Sequence, residues 1–155
     1  MILAYRMVRL IEKHSQDLVA SFLQKVEQSE RCRSYSKVPR EELATAVVEI
    51  YRGLGEWLLG KSQTDIRQRY EKIGARRAEQ QVPISELTWC IALVKENLWE
   101  YLRGGSEEES TSEVFSELEV LQLIEQFFDH AQYFAALGHE RALASPLVQG
   151  AAGVR

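Results

Sequence analysis

The sequence PISELTWCIALVKENLWEYL, residues 83–102, carries apolar side chains at helical spacing on two faces. The first face holds Ile84, Leu87, Ile91, Val94, Leu98 and Tyr101, and the second holds Trp89, Leu93 and Trp99. Steps of three and four positions predict an α-helix, and Pro83 and Ser85 indicate where it begins. A helix that is apolar on two faces is typical of the centre of a core, so we expect other helices to surround it.

The same spacing recurs on both sides of this segment and predicts four further helices. Few prolines occur and no long segment alternates apolar and polar residues, so the predicted fold class is all-α. Pro39 suits a first helical turn and Gly60 a helix end, whereas Gly53 and Gly55 predict a close helix crossing. The four helices are expected over residues 2–29, 39–59, 64–80 and from 111 or 112 up to Pro146.

The last of these helices is long for a protein of this size. Some 30 residues at 1.5 Å each would span about 45 Å, more than one small core can cover. Its apolar stripe therefore predicts a homodimer that forms through the first and last helices. The expected interface residues of the last helix are Leu118, Leu121, Ile124, Phe128, Ala131 and Ala135.

Length and charge limit the classes of protein. The 155 residues predict one helical domain over residues 1–143 and a flexible tail over residues 144–155. A formal net charge of -4 gives no general attraction to nucleic acid or anionic lipid, and no apolar segment is long enough for a membrane span. Cys32 and Cys90 lie far apart, which suits a reducing compartment. We expect a cytoplasmic protein that binds neither nucleic acid nor membrane.

The residues that could carry chemistry do not form a reactive set. The only histidines are His14, His130 and His139, and their spacing suits neither a shared metal nor a di-iron site. The sequence has no glycine-rich phosphate loop and no nucleophile elbow, and Cys90 is expected to be a buried structural residue. We therefore predict no catalytic residue, no metal, no cofactor and no enzymatic activity.

A basic run on the third predicted helix is the strongest local charge feature. It consists of Arg67, Arg69, Lys72, Arg76 and Arg77. A solvated helix face explains most of it, and a helix-turn-helix is rejected because the supposed recognition helix has almost no side chain able to read a base edge. Arg77 is expected either to be structural, with a carboxylate such as Glu86 as partner, or to dock a partner protein.

Residues 70–102 resemble the N-terminal sensor domains of stressosome proteins of the RsbR type, the RsbT co-antagonist N-terminal domains. The matching positions are Gly74, Arg77-Ala78, Gln80, Pro83 and Glu86, and with residues 38–60 and the flanking helices the resemblance covers about residues 10–140. It implies a globin-like helical fold without haem, a homodimer, and signal output through the C-terminal helix. Family members commonly continue into a STAS, kinase or DNA-binding output domain, so the chain is either a stand-alone relative or the sensor part of a longer protein.

Three classes of function follow, and a non-catalytic signalling input domain is favoured. The alternative is a sensor that holds haem, a lipid or another apolar molecule among Trp57, Trp89, Trp99, Phe127 and Phe128. Such a set of aromatic residues is more often ordinary core. Haem ligation in the usual manner is not expected, because no histidine occurs between His14 and His130. An enzyme is the third class, and the sequence supports it least.

Overall fold

The computed structural model describes residues 2–60, 63–104 and 118–144, and this part of the chain contains helices and turns but no strand. The predicted all-α class is confirmed, and the arrangement is consistent with a globin-like bundle that ends in a long helix. The elements are α1 (Ile2–Lys13), α2 (Ser15–Gln28), a 3₁₀ segment (Glu30–Lys37), α3 (Arg40–Leu58), α4 (Gln63–Glu79), α5 (Ile84–Gly104) and α6 (Leu118–Leu143). The predicted start of the last helix and all but the first residue of the predicted tail over residues 144–155 lie outside the described residues.

The N-terminal segment forms two helices, so the prediction of one continuous helix over residues 2–29 is wrong. The break is at His14, whose backbone angles are φ −111° and ψ 20°. Because of this bend, α1 packs on α3, while α2 packs on both α3 and α5. The His14 ring lies 5.1 Å from the ring of Tyr101 on α5, which holds the bend against the central helix.

Helix α5 occupies the centre of the bundle, as its two apolar faces predicted. It contacts α2, the 3₁₀ segment, α4 and α6. Its buried residues include Leu87, Ile91, Val94, Leu98 and Leu102. Among the described residues, no helix is both long and apolar enough to cross a bilayer.

A buried polar network ties α5 to α2 and α3. The Asn97 side chain, which is 2% exposed, donates from Nδ2 to the Leu18 carbonyl oxygen and to the Tyr51 hydroxyl at 2.9 and 3.1 Å. Its Oδ1 accepts from the Ser21 hydroxyl, and the Tyr51 hydroxyl donates to the Val94 carbonyl oxygen. Every polar group of the network has a hydrogen-bond partner, so no buried group is left with an unpaid desolvation cost. The network therefore fixes the register of the three helices.

The closest helix crossing joins α4 to α6 through two glycines. A Cβ atom at Gly74 would lie 2.9 Å from the backbone nitrogen of His139, and one at Gly138 would lie 2.7 Å from the Cα of Glu71. At Gly55, by contrast, a Cβ atom would meet Val8 at an ordinary 3.5 Å. The close helix crossing therefore occurs at Gly74 and Gly138, and the prediction that placed it at Gly53 and Gly55 is wrong. Gly53 faces the Tyr70 side chain.

Candidate functional site

A cluster of charged and polar side chains forms where the end of α4 meets the start of α3. The Glu42 carboxylate accepts hydrogen bonds from Arg76 (Nε, 3.2 Å; Nη2, 3.1 Å), from Arg77 (Nη1, 2.9 Å) and from Gln80 (Nε2, 2.9 Å). The hydrogen bond from Arg76 lowers the pKa of Glu42 below its ordinary 4.5, and partial burial opposes this shift. Glu42 is therefore a charged hub that joins the two helices.

Arg77 is the buried member of this cluster, with only 3% of its surface exposed. Its Nη1 also donates to the Gln80 amide oxygen at 3.0 Å, and its guanidinium lies 5.8 Å from the ring centre of Tyr35. The prediction that Glu86 is the carboxylate partner of Arg77 is wrong. The Glu86 carboxylate instead accepts from the backbone N–H and the hydroxyl of Ser34, because α5 begins beside the 3₁₀ segment and Arg77 faces α3.

The two cysteines, Cys32 and Cys90, are free thiols, and both are buried. Burial raises the pKa of Cys90 to about 12 and also raises the pKa of Cys32. Burial raises the pKa of the adjoining Tyr35 hydroxyl well above its ordinary value as well. The thiolate is the reactive form of cysteine, so at neutral pH these groups are protonated and inert. The burial expected for Cys90 is confirmed.

A groove opens between α3 and α4 beside this cluster, with a volume of about 1110 Å³. Its lining combines basic residues of α4 and α6, acidic residues of α3 and α4, and small residues of all three helices. The α4 and α6 residues include Arg69, Lys72, Ala75, Arg76, Gly138, Arg141 and Ala142, and the α3 residues are Glu42, Thr45, Ala46 and Glu49. The predicted basic run thus lines a concave surface except at Arg67, which does not belong to the groove lining.

The stripe predicted for a dimer interface lies largely inside the single chain. Ile124, Phe128, Ala131 and Ala135 are each at most 1% exposed, because α6 packs along α4 and α5. Leu118 is 67% exposed, and Leu121 is half-buried against the core. One face of α6 is thus buried in the core of the single chain, whereas Leu118 at its N-terminal end is exposed.

The three tryptophans proposed for an apolar pocket lie at separate places on the core surface. The indole N–H of Trp57 donates to the Leu123 carbonyl oxygen and that of Trp99 to Glu125, at 2.9 and 3.1 Å. The Arg31 guanidinium covers Trp89 at 4.3 Å. Three cavities, of about 1110, 610 and 370 Å³, have neither tryptophan nor histidine in their lining.

Each of the three histidines has different neighbours, and His14 is the one beside Tyr101. His139 is buried and its Nε2 lies 2.6 Å from the Val82 carbonyl oxygen, which ties α6 to the turn between α4 and α5. His130 contacts the Gln126 carbonyl oxygen through Nδ1. Within the described ranges no three histidine, cysteine or carboxylate side chains could hold a metal ion together. None of the three cavities described above has a histidine in its lining.

The sequence analysis does not identify three features that hold the helices together. They are the Glu42 hub, the crossing glycine Gly138 and the contact between His139 and the Val82 carbonyl oxygen. A signal did exist for Glu42, since an acid in the first turn of one helix and arginines in the last turn of the next can pair if the helices meet. Nothing local indicates which glycine faces which backbone.

Comparison with protein families gives one match. A family model described as the RsbT co-antagonist protein rsbRD N-terminal domain matches residues 14–152. Comparisons with curated proteins and with solved structures gave no match. The matched range includes the Glu42 cluster, both crossing glycines and every residue of the groove.

Proposed function

Because the chain belongs to the RsbT co-antagonist protein rsbRD N-terminal domain family, we propose that it is a non-catalytic signalling input domain. We propose that it acts as a homodimer and through contacts with other proteins. The family is the one that the resemblance of residues 70–102 predicted. The family supplies signalling input domains of the stressosome RsbR type and is not a known enzyme family. The observation that carries this proposal is the match over residues 14–152, most of the chain.

The chemistry of the described residues supports a role without catalysis. The two thiols are held protonated by burial, and the best-connected carboxylate, Glu42, is engaged by Arg76, Arg77 and Gln80. A general acid or base needs a pKa near neutrality, whereas the pKa of Glu42 is lowered. These groups are suited to holding helices together.

We place the homodimer contact at the exposed N-terminal end of α6. Leu118 and Leu121 would meet their counterparts there, while Ile124, Phe128, Ala131 and Ala135 support the helix from within the core. Light scattering at micromolar concentration should give the mass of two chains for the wild type. Leu118→Glu places a charge in that contact and should shift the protein to monomer.

The control for this experiment is Leu143→Glu, at the other end of the same helix, where the side chain is 47% exposed. This variant should remain a dimer. A monomeric wild type at micromolar concentration would show that the dimer proposal is wrong. Equal loss of dimer in both variants would move the contact away from Leu118.

The output partner is proposed to be a protein of the STAS, kinase or regulator type in the cytoplasm. The purified chain should co-elute in size-exclusion chromatography with the STAS-domain proteins of its own cell, and failure to do so at tens of micromolar would remove this part of the proposal.

We also propose that the domain works without haem. A sharp Soret band after hemin addition that vanishes on His14→Ala would contradict this.

A further inference from the structure

The groove between α3 and α4 separates two helices that follow each other in the chain but touch little. Both pack on α6 instead, and α4 does so along most of its length through the glycine crossing. Side chains bridge the two helices at two places, where Glu42 pairs with Arg76 and Arg77 and where Glu56 pairs with Arg69. Between these bridges Thr45, Glu49 and Lys72 line the groove, and the core fixes the backbones beneath them. A fixed concave surface is what a preformed binding site requires.

Each wall of the groove is a single helical face. Glu42, Thr45, Ala46 and Glu49 follow the i, i+3, i+4, i+7 spacing on α3, and Arg69, Lys72 and Arg76 follow the i, i+3, i+7 spacing on α4. The lining also contains small side chains on each of the three helices, among them Ala46, Ala75 and Ala142, and small side chains allow another backbone to approach closely. From Gln68 to Arg76 the α4 wall is about 12 Å long, or two helical turns.

The charge of the groove differs in sign from that of the chain. The lining has five arginine or lysine residues against three glutamates, whereas the whole chain has a formal net charge of -4. Within the described residues, Arg76 pairs with Glu42 and Arg141 with Glu71, but neither Lys72 on one wall nor Glu49 on the other is engaged in an ion pair. Lys72 is exposed and Glu49 half-buried. Among the described residues, the groove lining thus leaves Lys72 on α4 and Glu49 on α3 without an ion pair.

We propose that this groove is a docking site for an amphipathic α-helix of a partner protein, with acidic residues along the side that faces α4 and small or apolar residues toward the groove floor. In helix-in-groove binding the apolar face of an amphipathic helix enters the groove, and the charged residues of the lining would then meet the polar sides of that helix. A basic residue on the partner's other side would meet Glu49. The inference rests on the proposed function, since it names the surface through which the input domain meets a partner.

The probe for this site is a fluorescently labelled synthetic helix of 16 residues with glutamates at i, i+4 and i+7 on one side and alanines on the other. Fluorescence anisotropy should show binding to the wild-type protein that weakens as salt is added, because rim charges are screened. Lys72→Glu should weaken binding about tenfold, since it turns this cation into an anion. Thr45→Trp, which fills the groove from the α3 side, should weaken it as well.

Two controls make the result specific. Lys13→Glu makes the same change of charge at an exposed lysine on α1, outside the groove lining, and should leave binding unchanged. A probe with lysines in place of the glutamates should bind at least tenfold more weakly than the acidic probe. Circular dichroism of each variant checks that the fold is kept, and Lys72 supports the fold through no ion pair in the described residues.

The proposal is overturned if the acidic probe fails to bind, if both probes bind equally, or if Lys13→Glu weakens binding as much as Lys72→Glu. It is also overturned if Lys72→Glu abolishes the homodimer in light scattering, because the occupant is then a second copy of this chain. A dimer that persists beside a groove that binds no acidic helix would leave the proposed function standing and remove only this inference.

Discussion

Adding one methyl group at Gly138 is the sharpest perturbation of the fold that the structure suggests. A Cβ atom there would lie 2.7 Å from both the Cα and the carbonyl carbon of Glu71, and closer still to its carbonyl oxygen. Real Cβ atoms essentially never come within 3.0 Å of such neighbours. Because the obstacle is backbone in the middle of α4, no rotamer change can relieve it, and Gly138→Ala must push α6 away from α4.

The expected cost follows from two opposing effects. Overpacking of a core costs about 1–3 kcal/mol, and a clash between backbones belongs at the upper end of that range. Replacing glycine by alanine inside a helix returns about 1 kcal/mol. We therefore expect Gly138→Ala to lower the free energy of unfolding by about 2 kcal/mol or more. Gly55→Ala meets Val8 only at 3.5 Å, so it should gain up to about 1 kcal/mol.

Urea denaturation followed by circular dichroism measures both variants against the wild type. The two unfolding midpoints should move in opposite directions, with the slope of the transition unchanged if the native state stays compact. A Gly138→Ala midpoint at or above that of the wild type would refute the argument, since it would mean that α4 and α6 do not cross at this glycine.

Three further predictions concern the cluster beside the groove. Arg77→Lys should lower the free energy of unfolding by about 1–3 kcal/mol, because lysine lacks the planar guanidinium that reaches Glu42 from a buried position. Arg67→Lys, at an exposed position, should stay within about 0.5 kcal/mol of the wild type in a calorimetric scan. Equal melting temperatures for Arg77→Lys and the wild type would show that Arg77 has no structural role. Because the pKa of Glu42 is lowered in the folded state, its stabilisation is present above pH 4.5 and is lost as the pH falls below that value; urea midpoints at pH 7 and pH 3.5 should therefore differ less for Glu42→Gln than for wild type, and an equal difference would contradict this. Cys32 and Cys90 should react with a thiol reagent at pH 8 only as fast as the protein unfolds, and rapid labelling of the native protein would show that the thiols are accessible.

The Glu42 cluster shows how far a sequence interpretation of a site can reach. The arginines at the end of α4 and the acids at the start of α3 are visible as charges favourable to helix ends. Their pairing is not visible, because 35 positions separate Arg77 from Glu42, and only the packing of α3 and α4 on α6 sets the distance between them. Glu86, nine positions from Arg77, was the nearer choice in sequence and the wrong one in space.

The break at His14 has a similar origin. The apolar stripe continues through residues 2–29 without a proline or glycine, so local spacing predicts one helix. The bend lets α1 pack on α3 while α2 reaches both α3 and α5, and no residue type at the bend indicates it in the sequence. The stripe of α6 was correctly predicted as helical and apolar, but whether Ile124 and Phe128 face a second chain or their own core depends on where α4 and α5 lie.

The sequence by itself determined the all-α class, the central position of α5, the start of α3 after Pro39, its end shortly before Gly60 and the family of the domain. These features depend on residues within one or two helical turns of each other, or on a pattern of residues kept in order along the chain. Only the tertiary structure decided the crossing at Gly74 and Gly138, the partner of Arg77 and the groove between α3 and α4. Each of these depends on the relative placement of separate helices, which is set by the packing of the whole core at once and by no short stretch of it.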